Sequence, residues 1–208
     1  MAVSQAQRLR RAAQKTSKRK VVVAEKRKAE QAYAKGSDIR QIAAAAEGPV
    51  HGSTVTKELF TSGMGWLVLA RPLPSGTLVA SFFPIDSWCL GVKDAFFMTL
   101  SPSEFTERLS MIEASGQEGV AIEPANARRL LHDAVAYAAD LGFDAGEGYK
   151  TAEMLFGDTP LSAESFTFGK DGEPFYMPGP HDSPSLTRRV FDTLQKRAEE
   201  KKAVSLQP

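Results

Sequence analysis

At 208 residues, with 42% hydrophobic and 25% charged side chains, the chain has the length and composition of one folded domain and excludes fibrous or wholly disordered classes. Its single cysteine excludes an intramolecular disulfide, no apolar run approaches the ~18 residues of a membrane span, and the polar, basic amino terminus lacks the apolar stretch of a signal peptide. The formal net charge of +1 conceals a division: residues 1–40 carry twelve Lys and Arg against three acids, a surplus of nine, whereas the rest carries fourteen against twenty-two, a deficit of eight.

From Ser4 to about Lys35 there is no Pro or Gly, and Ala and straight-chain residues dominate, a composition that favours helix. The larger apolar groups there are Leu9, Val21 to Val23 and Tyr33, too thin a stripe to offset like-charge repulsion, so the helix is predicted to be conditional on a neutralising partner. Ile39 to Ala46 reads as a second short helix capped by Ser37 or Asp38. Gly48 and Pro49 mark a boundary, which divides the chain into a basic arm over 1–47, a globular domain over 48–202 and a frayed tail over 203–208.

Val50 to Phe60 reads as a first strand, followed by a glycine turn at Gly63 to Gly65. That Gly-x-Gly precedes a strand, where a dinucleotide fingerprint follows one and opens a helix, so it is not taken as a nucleotide loop. Trp66 to Phe97 concentrates the aliphatic and aromatic residues, with Trp66–Ala70 and Leu78–Ile85 forming a predicted hairpin. Neither run alternates strictly, so both faces should be covered. Pro84 cannot donate to a ladder, which predicts an edge, a bulge or a strand end near Asp86.

Ser101, Pro102, Ser103 and Glu104 spell a capping box, and Phe105, Leu109 and Ile112 follow at helical spacing up to Gly116. A second helix runs from Ala125 to Leu141 behind Pro124, and a shorter one from Tyr149 to Phe156, closed by Gly157. Phe166–Phe168 and Glu173–Met177 read as a second hairpin around Gly169 to Gly172. Ser183 and Pro184 open the last helix, with Leu186, Val190 and Leu194 facing inward and Arg188, Arg189, Lys196 and Arg197 outward. These elements predict an α+β (α/β-type) single domain: a small, mostly antiparallel sheet packed by three to four helices, with a basic helical extension at the amino terminus.

Two constellations bear on function. Asp86, Cys89, Lys93 and Asp94 cluster at a strand end beside Gly91; their structural reading is turn formation and burial, and their chemical reading is a metal-dependent hydrolase or nuclease with acids around Asp86 and Asp94. His51, His132 and His181 lie far apart with no ligand spacing, so neither a metal site nor a cofactor is expected. The second constellation is the arm: Arg8, Arg10, Arg11, Lys15, Lys18, Arg19, Lys20, Lys26, Arg27 and Lys28. Closely spaced cations displace counterions from a phosphate backbone, which predicts a nucleic-acid partner, preferably RNA or a ribonucleoprotein, and an accessory rather than catalytic role. Tyr33 as the only aromatic argues against base stacking by the arm, and the lack of Trp, Phe and Leu against membrane insertion. A homo-oligomer held by the opposite charges of arm and body is the further alternative. The expected setting is bacterial and cytoplasmic.

Overall fold

At the centre stands a hairpin in which nine residue pairs, from Met64 opposite Asp86 to Pro72 opposite Leu78, join two strands buried along nearly their whole length. The computed structural model describes residues 38–179 and 182–205, and the ten arm cations named above, with the Ser4–Lys35 helix, His181 and the last three residues of the tail, lie outside them. The chain divides into two units, Met1–Gln41 and Ile42–Pro208, and every strand among the described residues lies in the second.

In chain order the elements are α1 (residues 38–46), β1 (Gly52–Thr56), α2 (Leu59–Ser62), β2 (Met64–Pro72), β3 (Leu78–Asp86), β4 (Gly91–Val92), β5 (Phe96–Leu100), α3 (Pro102–Ala114), β6 (Gly119–Ala121), α4 (Pro124–Asp140), α5 (Tyr149–Glu153) running into a 3-10 turn at Met154–Phe156, and α6 (Pro184–Ser205). The sheet is antiparallel throughout, ordered β4-β3-β2-β1-β6, with β5 pairing β3 beside β4. This is an α+β domain.

Both faces of the hairpin are covered, as its lack of alternation predicts. Leu67, Leu69, Val79, Phe83 and Ile85 meet α4, α5 and the 3-10 turn in the main core. Val68, Ala70, Leu78, Ala80 and Phe82 face the other way, toward Phe105 of α3. The capping box is formed: the Glu104 N–H donates to the Ser101 hydroxyl, and the Ser101 N–H donates back to the Glu104 carboxylate at 2.7 Å. A third cluster sets Val190 of α6 against Ala138 and Leu141 at the end of α4, with Cys89 and Tyr176 between them.

Pro84 sits inside β3, and the ladder explains why it is tolerated. The Trp66 N–H opposite it donates to the Thr56 hydroxyl of β1, so the polar groups of Pro84 point away from β2. On that far side, Phe82 to Ile85 spans three steps while the facing Phe96 to Val92 spans four, so β4 and β5 form one edge strand interrupted by a bulge at Lys93 to Ala95. The missing N–H of Pro84 falls at this gap, while its carbonyl accepts from the Lys93 N–H at 3.0 Å.

Several elements differ from the sequence expectation. The first strand ends at Thr56, and α2 takes over the segment read as its second half. β6, whose three residues carry no run long enough to signal a strand, completes the sheet beside β1. The second hairpin reduces to one bridge between Lys170 and Glu173. Its turn has the positive φ at Asp171 and Gly172 that a tight hairpin wants, but the flanking N–H groups go elsewhere: Gly169 donates to the Ser87 carbonyl and Phe175 to the Trp88 carbonyl. At the surface, Arg197 binds the carboxylate and the main-chain carbonyl of Asp140, joining α6 to α4.

Arg71, read as part of a turn, lies in β2 with its guanidinium buried. It donates to the carbonyls of Ala46, Gly48 and Phe156 and to the Thr159 hydroxyl. The ends of α1 and of the 3-10 turn thus direct carbonyls at one cation, the Phe156 carbonyl also accepting from the Thr159 N–H, an arrangement the helix dipoles favour. Burial holds the Arg71 pKa below its ordinary value.

Helix α4 lies close against β4 at Gly91, with φ of +61 and the Ala134 carbonyl oxygen only 2.3 Å from where a Cβ would stand. Gly91→Ala therefore forces α4 away from β4. It is expected to lose about 3 kcal/mol in urea unfolding, against about 1 kcal/mol for Gly76→Ala, where φ is also positive but no atom lies near. Equal losses would contradict this account of the contact.

Candidate functional site

The turn after β3 gathers three of the four residues singled out as chemical candidates. Asp86 is buried, and its Oδ1 accepts from the Trp88 N–H at 3.0 Å and the Cys89 N–H at 2.9 Å. Aspartate suits this place because a short carboxylate reaches back to amides two and three residues on. Burial raises its pKa, opposed by the N–H groups of Cys89, Trp88 and Leu90 and by the Lys93 ammonium. The Cys89 thiol is fully buried, and burial together with the Asp86 charge pushes its pKa up to about 12. Such a thiol is protonated at neutral pH and is a poor nucleophile.

Lys93 projects from the bulge to Asp182, its Nζ lying 2.9 Å from Oδ1 and 3.2 Å from Oδ2. The Tyr176 hydroxyl and the Gly179 N–H each donate to Oδ2 at 2.9 Å. Ser183 caps α6, its hydroxyl accepting from the Leu186 N–H, while Asp182 ties the loop to the sheet edge. Burial by itself would raise the Asp182 pKa, but the Gly179 N–H, Lys93 and Tyr176 together hold it below the ordinary carboxylate value. Tyr176 and Asp182 were not joined to Lys93 in the sequence reading, because some ninety positions separate them and no periodicity links a bulge to a loop.

Asp94 stands apart from this group. It is exposed, and its Oδ1 accepts from the N–H of the next residue, Ala95, at 2.8 Å. Asp86 and Asp94 therefore commit their carboxylates to separate local amides. Among the described residues, no group of three His, Cys, Asp or Glu side chains is placed to hold a metal ion.

The other face of the sheet carries a different feature. α3 covers it only in part, leaving a groove of about 250 Å³ lined by Trp66, Phe82, Phe96, Met98, Met111 and Arg108, among others. Phe96 and Met111 remain 41% and 57% exposed. Sequence reading placed Trp66, Phe82 and Phe96 in the core. The signal for a groove was the sparse apolar face of α3, whose only fully buried residue is Phe105.

The ion pair at Asp182 makes a pH test possible. A depressed carboxyl stabilises the fold above its unfolded pKa of about 4, and the contribution is lost as pH falls through the lower folded value. The wild type is expected to exceed Asp182→Asn by about 2 kcal/mol at pH 7, with the gap closing as unfolding is measured at successively lower pH below 4. A gap independent of pH would contradict the assignment.

Among the described residues no helix is long and apolar enough to cross a membrane. Compared with protein-family models, curated proteins and solved structures, the chain matches none.

Proposed function

We propose that the protein is a nucleic-acid-binding accessory factor, with RNA or a ribonucleoprotein as the preferred partner, gripped through the cations of the amino-terminal arm. The supporting observation is the charge division: a surplus of nine over residues 1–40 and a deficit of eight over the remainder. A polyphosphate gains by releasing counterions at clusters such as Lys18, Arg19 and Lys20 or Lys26, Arg27 and Lys28, and is repelled by the net charge of the rest. Contacts of that kind position a duplex or folded strand without reading its sequence.

The hydrolase alternative draws no support from the geometry around Asp86 and Asp94, whose carboxylates serve two different amide groups. The self-assembly alternative rests on the same charge division, and its mark is dimerisation that weakens with salt and persists after nuclease treatment.

The test is the salt dependence of RNA binding by the full chain. With six to ten phosphates neutralised, affinity is expected to fall roughly 10³- to 10⁵-fold between 50 and 200 mM salt. Replacing Lys18, Arg19 and Lys20 with Gln should lower the slope of log affinity against log salt by about 2 to 3. Binding insensitive to salt, or to these replacements, would contradict the proposal.

A further inference from the structure

The arm offers charge but, with Tyr33 its only aromatic, almost nothing on which a base could stack. The α3 groove has the complementary chemistry. Phe82 stacks on one face of Phe96 with ring centroids 5.3 Å apart and planes 14° from parallel, and Trp66 meets Phe96 edge-on at 6.2 Å. Phe96 is thereby fixed in orientation while 41% of its surface stays exposed at the groove. Met98 and Met111 add polarisable thioethers that adapt to a flat ring.

Among the described residues, Arg108 is the only ionisable side chain in the lining. Glu104, one helical turn before it, spends its carboxylate on the N–H and hydroxyl of Ser101, each at 2.7 Å. Arg108 makes no ion pair among the described residues; its charge acts on the Glu104 carboxylate only through space, so its guanidinium donors remain open to an outside anion. A rigid exposed ring, soft apolar walls and one cation beside them match the parts of an unpaired nucleotide: a base with two π-faces and the phosphate attached to it. A duplex keeps its bases stacked and cannot present one to the groove.

We propose that this groove holds an unpaired base of single-stranded nucleic acid against Phe96, with Arg108 contacting the adjoining phosphate. The inference rests on the nucleic-acid reading above and goes beyond it, giving the protein a preference for single strands that the arm's charge does not supply.

The experiment measures fluorescence anisotropy of the full chain with a labelled single-stranded oligoadenylate, the same length of abasic strand, and a duplex, all at 50 mM salt. Phe96→Ala and Arg108→Gln are each expected to weaken binding of the oligoadenylate by roughly 5- to 100-fold while leaving the duplex unchanged. Phe96→Tyr, which keeps the ring, should restore wild-type affinity, and the abasic strand should bind wild type and Phe96→Ala alike. Arg108 is exposed on α3, so its replacement tests the groove without endangering the fold. Unchanged oligoadenylate binding in both variants, or equal weakening on strand and duplex, overturns the groove assignment and leaves the arm's role standing. Wild type that binds none of the three probes overturns the nucleic-acid reading itself.

Discussion

One buried carboxylate organises the carboxyl-terminal end of the central hairpin. By accepting from the amides of Trp88 and Cys89, Asp86 folds the chain back on itself at the end of β3 and leaves the outer polar groups of that turn available to other elements. The Ser87 hydroxyl donates to the Leu59 carbonyl, the Ser87 N–H to the Gly63 carbonyl and the Trp88 indole to the Phe60 carbonyl, which fastens α2. The Tyr137 hydroxyl donates to the Trp88 carbonyl and brings in α4, while Gly169 and Phe175 bring in the loop ahead of α6. Lys170 completes the surface, its ammonium 5.1 Å from the Trp88 ring centroid and 4.5 Å from that of Phe175. A turn of five residues thereby joins α2, α4 and the loop ahead of α6 to the end of β3. Removing its carboxylate would leave buried N–H groups unpaired, a cost large against the whole stability of a domain.

The same arrangement accounts for the character of the predicted chemical cluster. Asp86, Cys89 and Lys93 do come together, but each is engaged in holding the fold: the carboxylate by amides, the thiol by apolar neighbours from α4 and α6, and the ammonium by Asp182. Acid, thiol and amine at a strand end look alike in sequence whether they serve a turn or a reaction. What separates them is whether a donor or acceptor is left unspent, and that depends on partners as distant as Asp182.

Where the chain signals locally, its structure was legible. The capping box at Ser101, the unbroken apolar runs of the hairpin, the glycine stop at Gly157 and the Ser183–Pro184 start of α6 each follow from chemistry within a few residues. The illegible parts depend on contacts across the chain. β6 exists because β1 offers it an edge, and the second hairpin fails because the turn after β3 takes its amides. Arg71 is buried because two helix ends converge on it, and nothing near position 71 announces that. The groove was hidden for a related reason: aromatic residues in a strand read as core until the helix above them is seen to cover only part of the face.

The functional account joins two separate resources, a cationic segment whose composition calls for polyphosphate and a folded body with its own core whose remaining charge is negative. Its central claim is that the grip belongs to the arm and the fold does not need it. The most direct measurement compares the 260 to 280 nm absorbance ratio of protein purified at low salt, with and without residues 1–35, alongside thermal unfolding of both. The account expects nucleic acid to accompany the full chain and to be lost on truncation, with unfolding equally cooperative in the two forms. Equal retention of nucleic acid by both, or a truncated body that no longer folds, would contradict it.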